Sequence, residues 1–133
     1  MKNKYIDLIE QTFDFPQDEF SVEDNELYFH DIPLMEIIKQ YGTPLKITYL
    51  PKISQNIQKA KRWFNVAMAK ADYQGDYHYC YCTKSSHFSF ILEEVLKNDV
   101  HIETSSAFDF NIIEALSEQG LFEKDNFIIC NGF

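Results

Sequence analysis

Three short apolar runs, each handing over directly to a helical stripe or to a polar stop, restrict this chain more than any other feature. The first, Tyr79-Cys80-Tyr81-Cys82-Thr83-Lys84, reads as a strand ending on a lysine. Val100-His101-Ile102-Glu103-Thr104 and Phe127-Ile128-Ile129-Cys130 read as the second and third strands. Between the first two, Phe88, Ile91, Leu92, Val95 and Leu96 recur at helical spacing and predict an amphipathic helix closed at Asn98. Between the second and third, Ser106-Ala107-Phe108-Asp109 has the form of a capping box. It opens a helix expected to turn Phe108, Ile112, Ala115 and Leu116 inward, with Gly120 as its stop. The pattern is βαβαβ, and strands separated by helices of this length pair in parallel. The third run is continuously apolar, as a parallel strand covered on both faces is.

Upstream, Ile53, Ile57, Ala60, Phe64, Ala67, Met68 and Ala71 form another helical stripe, closed by the polar turn Asp72 to Asp76. Thr43 to Leu50 alternates as a strand with Pro44 at its start, and Leu34 to Tyr41 reads as a short helix stopped by Gly42. A helix over Tyr5 to Phe13 and a hairpin turning at Asp24-Asn25 complete the expected elements. Trp63 and the many aromatic residues are assigned to the core.

Composition sets outer limits on function. The chain has 133 residues, of which 45% are hydrophobic and 25% charged, the make-up of an ordinary soluble globular domain. No apolar run reaches membrane-spanning length, and the start Met1-Lys2-Asn3-Lys4-Tyr5-Ile6-Asp7 lacks the apolar stretch of a secretory signal. A cytoplasmic location follows as the expectation, and three cysteines fit reduced thiols there. A formal net charge of -9 argues against nucleic acid or an anionic membrane as partner and permits a cationic small substrate.

In a parallel α/β arrangement, chemistry gathers where strands end and helices begin. Lys84 lies at such an end, where desolvation and neighbouring charge favour a neutral, nucleophilic amine. Glu103, Asn131 and His87 fall at or next to the same strand ends. His78, Cys80, Cys82 and Lys84 share one strand face by alternation, but strand neighbours without a fourth ligand make a poor zinc site; no metal is expected, and small thiols filling an interior account for the pattern. On the plainest view Lys84 and Glu103 are solvated strand-end charges, and Asp109 is a capping acid.

Four segments carry a family resemblance: Tyr41-Gly42-Thr43-Pro44-Leu45, Tyr81-Cys82-Thr83-Lys84-Ser85-Ser86, Ile102-Glu103-Thr104-Ser105-Ser106 and Ile129-Cys130-Asn131-Gly132-Phe133. In this order, with Lys84 and Glu103 nineteen residues apart, they resemble the fold type III pyridoxal phosphate decarboxylases, which act on diaminopimelate, ornithine and arginine. Their wording looks most like the biosynthetic arginine decarboxylases. The resemblance implies a (β/α)8 barrel of the alanine racemase-like type, of which residues 51–133 would supply the first helix and first three strands. Residues 1–50 would be an N-terminal extension and lead-in strand belonging to a β domain. It implies pyridoxal phosphate held as a Schiff base on Lys84, with His87, Glu103 and Asn131 near the cofactor. The implied reaction is decarboxylation of arginine to agmatine in polyamine biosynthesis by a homodimer or larger homo-oligomer. Decarboxylation of diaminopimelate or another basic amino acid, and a non-catalytic pyridoxal phosphate-binding or regulatory homologue, stay open. The last strand has no covering helix after it, so the chain reads as the N-terminal part of a longer protein, inactive by itself.

Overall fold

The computed structural model describes residues 19–131, which form a mixed α/β protein with two small sheets. The expected helix over Tyr5 to Phe13 lies outside the described residues. The chain divides into two compact units, Met1–Ile47 and Thr48–Phe133.

In the first unit, β1 (Phe20–Glu23), β2 (Glu26–Phe29) and β3 (Ile32–Pro33) form an antiparallel meander that runs into α1 (Leu34–Tyr41). The first turn is the one expected at Asp24-Asn25. Both residues have positive φ, 49° and 64°, which matches the twist of a tight hairpin and suits Asp and Asn better than β-branched residues. His30 and Asp31, with φ of 47° and 65°, repeat the device between β2 and β3. The register pairs Phe20 with Phe29, whose rings lie 4.9 Å apart. Gly42 ends α1 with φ 77° while its N–H bonds the Ile38 carbonyl at 2.7 Å. The strand expected over Thr43 to Leu50 is not found. Residues 45–49 pair with no strand among the described residues, and alternation alone cannot make a strand without a hydrogen-bonding neighbour.

The second unit opens with α2 (Leu50–Lys70), with Pro51 in its first turn where no backbone donor is needed. Then come β4 (Cys80–Cys82), a single 3-10 turn (Thr83–Ser85), α3 (Ser89–Leu96), β5 (His101–Thr104), α4 (Phe108–Glu118) and β6 (Ile128–Cys130). The three strands pair in parallel in chain order, with Tyr81 opposite Ile102 and Ile102 opposite Ile128. Strand β4 is shorter than the expected Tyr79–Lys84: it ends at Cys82, and Lys84 sits in the 3-10 turn rather than on the strand's alternating face.

The core lies on one face of this sheet. Leu92 of α3, Ile113 and Leu116 of α4 and Phe122 pack with Ile102, and Tyr81 flanks them. Ile57 of α2 packs with Ile91, Val95 and Val100. Leu92, Val95, Val100 and Ile102 are fully buried, each contributing roughly 1.5–3 kcal/mol by burial. Asn98 ties α2 to α3: its Nδ2 donates to Ser54 Oγ and to the Glu94 carbonyl, both at 2.8 Å, and its Oδ1 accepts from Gln58 Nε2 at 3.1 Å. Gly120 closes α4 with φ 71°, and the bonds Gly120 N–H to Ser117 O and Leu121 N–H to Leu116 O, both 2.9 Å, complete a Schellman motif.

Several burial expectations need correction. Phe108 is 79% exposed and Ala115 is also exposed; α4 instead turns Ile112, Ile113 and Leu116 inward, because its axis is set by contact with Ile102. Trp63 and Phe64 of α2 are more than half exposed, Trp63 under the Lys59 ammonium and Phe64 stacked on Tyr77 at 4.2 Å. Along α2, contact with α3 buries only the N-terminal part of the stripe, around Ile57. Strand β6, read as buried on both faces, is exposed along its length, being paired only with β5 among the described residues.

Candidate active site

The C-terminal edge of β4, β5 and β6 gathers the residues singled out from sequence. Thr83, buried at the end of β4, donates from Oγ1 to the Glu103 carbonyl at 3.2 Å, which fixes the residue before Lys84 against β5. Beyond it, Tyr81 donates from its hydroxyl to the Ser86 carbonyl at 3.0 Å and so ties down the far side of the turn. Lys84 is held between these two anchors. The desolvation and neighbouring charge expected there are not found: Lys84 is exposed and its side chain makes no hydrogen bond or ion pair with the described residues.

Glu103 and Asn131 are brought together. Asn131 Nδ2 donates to Glu103 Oε1 at 2.7 Å, and the Asn131 N–H bonds the Thr104 carbonyl at 2.8 Å, so backbone and side chain orient the amide together. Thr104, buried, donates to the Ile129 carbonyl at 3.4 Å. His87 is not drawn into this group: it is exposed and stacks loosely on Phe88, rings 6.2 Å apart.

The loop after β5 is organised by Asp109, whose Oδ2 accepts the N–H groups of Ser105 at 2.8 Å and Ser106 at 3.0 Å. This is the acid half of the expected capping box. The Ser105 and then the Ser106 N–H hold the Asp109 carboxyl below the usual carboxylate range, against a smaller opposing effect of desolvation.

Side chains of Cys80, Cys82, Glu103 and Ile129 share the sheet face opposite the helices, by register and alternation. Neither core cluster includes a residue of that face. Burial, and then the Glu103 carboxylate, push the Cys80 thiol up, which keeps it protonated at neutral pH. Among the described residues no three His, Cys, Asp or Glu side chains converge on a point that would hold a metal ion.

Thr83, Tyr81 and Asp109 as anchors of the site's backbone were not evident as such from sequence; the Ser-x-x-Asp spacing was the one available signal. The residues present fit one end of pyridoxal phosphate in kind: an exposed lysine lies on the same strand edge as a carboxylate bonded to an amide. Among the described residues of this unit no glycine-rich loop lies on this edge to take a phosphate, since Gly75 precedes β4 and Gly120 ends α4. No protein-family model matches the chain, and no curated protein sequence matches it. No helix of the described residues is long and apolar enough to cross a membrane.

Proposed function

We propose that this chain contributes the cofactor lysine of a pyridoxal phosphate-dependent amino-acid decarboxylase, with arginine as substrate. The observation that carries the reading is that Lys84, in the turn after β4, lies at the same edge of three parallel strands as the bonded pair Glu103 and Asn131. The sheet's construction supports it further. Both crossover helices pack on the same face, while the other carries half-buried thiols and a carboxylate. A barrel wall has that asymmetry, helices outside and side chains converging within.

In this reading Lys84 Nζ is the covalent anchor, and its exposure leaves it reachable by cofactor and substrate amine. When bound, pyridoxal phosphate supplies the electron sink for loss of the α-carboxylate as carbon dioxide. Glu103, with Oε1 fixed by Asn131, places negative charge at the edge where a cationic ring or amine would sit. The Thr83 and Tyr81 anchors hold the Lys84 backbone in place.

The test compares the intact protein with Lys84→Ala and Lys84→Arg, following visible absorbance after addition of pyridoxal phosphate and carbon dioxide release from arginine. Both variants are expected to lose the yellow absorbance and turnover, because guanidinium keeps the charge but not the nucleophilic amine. Turnover within about tenfold of wild type in either variant, a barrier change of only ~1.4 kcal/mol, refutes the assignment. Absorbance without carbon dioxide release identifies a binding homologue instead of an enzyme.

A further inference from the structure

At the opposite edge of the same sheet, two histidines and one backbone amide form a chain whose proton positions the geometry dictates. His101 Nδ1 lies 3.0 Å from the Phe127 N of the run into β6 and accepts a hydrogen bond from its N–H. An amide N–H can only donate, so His101 Nδ1 carries no proton. The neutral ring then carries its hydrogen on Nε2, which lies 3.1 Å from His78 Nδ1. His78 must accept there, which places its own hydrogen on Nε2. Both rings are neutral and in one tautomer each. The Phe127 carbonyl meanwhile accepts from Ile102 N–H at 3.1 Å, and the Phe127 ring stacks on His101 with centroids 4.3 Å apart.

We propose that the His78–His101 pair is an acid-released latch on β6, in which protonation of His101 turns Nδ1 from acceptor into donor and frees the Phe127 N–H. In the protonated state two donors face each other across the contact, and the run into β6 keeps the Ile102 bond, the Asn126 Nδ2 bond to the Val100 carbonyl at 3.0 Å and the ring stack. The titratable and charged groups around His101 are His78 and its register partner Cys80 from the β4 side, Asp99 in the preceding turn and Lys61 of α2; the β6 side presents the Phe127 ring and backbone. Burial, then His78 and Lys61, hold His101 below the ordinary histidine range, outweighing Asp99, which pulls the other way. A depressed value means that this contribution to stability is complete above the ordinary histidine range. It is lost as pH falls through the folded value. The strand so released also delivers Asn131 to Glu103, yet the latch does not depend on the chemistry proposed at that edge.

The test is a pH titration of the intact protein, labelled with nitrogen-15, from about pH 8 to about pH 5, around the unperturbed histidine value. Long-range nitrogen-proton spectra read each ring's tautomer, and amide exchange reads the Phe127 N–H. The expected result at the upper end is the Nε2–H tautomer for both rings. As His101 protonates, Phe127 protection should fall by roughly three- to tenfold, the worth of one net hydrogen bond. His101→Asn, whose amide oxygen can accept from Phe127 but cannot titrate, should remove the acid step. An Nδ1–H tautomer at His101 in the wild type, or Phe127 protection unchanged through the His101 titration, overturns the latch.

Discussion

Replacing Asn98 probes the joint that fixes the first crossover unit, and the structure sets the size of the effect. Asn98 is 6% exposed and its side chain makes four hydrogen bonds, to Ser54 Oγ, the Glu94 and Val95 carbonyls and Gln58 Nε2. The Val95 contact is long, at 3.3 Å, and the Gln58 contact involves an exposed side chain. Two bonds at 2.8 Å therefore dominate, and at about 1 kcal/mol net each, plus the cost of leaving carbonyls of α3 unpaired, Asn98→Ala should cost about 2–3 kcal/mol. Asn98→Asp preserves volume but replaces the donor with a second acceptor. That oxygen faces the Glu94 carbonyl and a serine whose proton is already given to the Glu94 carboxylate. It should cost more than alanine, about 3–5 kcal/mol. Equilibrium urea unfolding of the intact protein reads both, through a lower midpoint at unchanged slope. A loss below about 0.5 kcal/mol for Asn98→Ala, or aspartate tolerated better than alanine, would refute the account of this joint.

The capping acid gives a pH-dependent prediction. Because its backbone donors depress the Asp109 value, its contribution is present above the ordinary carboxylate range near about pH 4 and is lost as pH falls through the folded value. Asp109→Asn should cost under about 1 kcal/mol at neutral pH, reduced by solvent exposure, and nothing in acid; urea midpoints measured across pH check the convergence. The thiols should react in order of exposure and charge state: exposed Cys130 should be alkylated at neutral pH before Cys80, which is half-buried and whose thiolate is disfavoured. Timed labelling followed by peptide mass analysis would contradict this if Cys80 were modified first.

Local signals were legible in the sequence where one residue's backbone demands decide the structure. Gly42 and Gly120 stop their helices with positive φ, Asp24-Asn25 make the hairpin, and Asp109 takes the N–H groups at the head of α4. Of the stripe Phe88, Ile91, Leu92, Val95 and Leu96, the middle three are buried as the spacing requires, Leu96 is half-buried, and Phe88, which precedes α3, is exposed. Features set by neighbours were less legible. Phe108 and Trp63 are apolar but lie where no element of their unit covers them, and residues 45–49 alternate without a pairing partner. At the candidate site, the placement of Glu103 and Asn131 near one edge follows from strand ends visible in the sequence. Their direct bond depends on the β5–β6 register, which no local pattern encodes. The meeting of His78 and His101 depends in the same way on the β4–β5 register.

The central claim is that Lys84 Nζ bonds covalently to pyridoxal phosphate, and chemical trapping tests it most directly. The intact protein would be incubated with the cofactor, reduced with borohydride, digested and mapped by mass spectrometry. The account predicts a reduced phosphopyridoxyl group on the peptide bearing Lys84, at near-complete occupancy and absent from Lys84→Ala. Label spread over the surface lysines with Lys84 no more modified than Lys59 or Lys97, or label undiminished in Lys84→Ala, would contradict it.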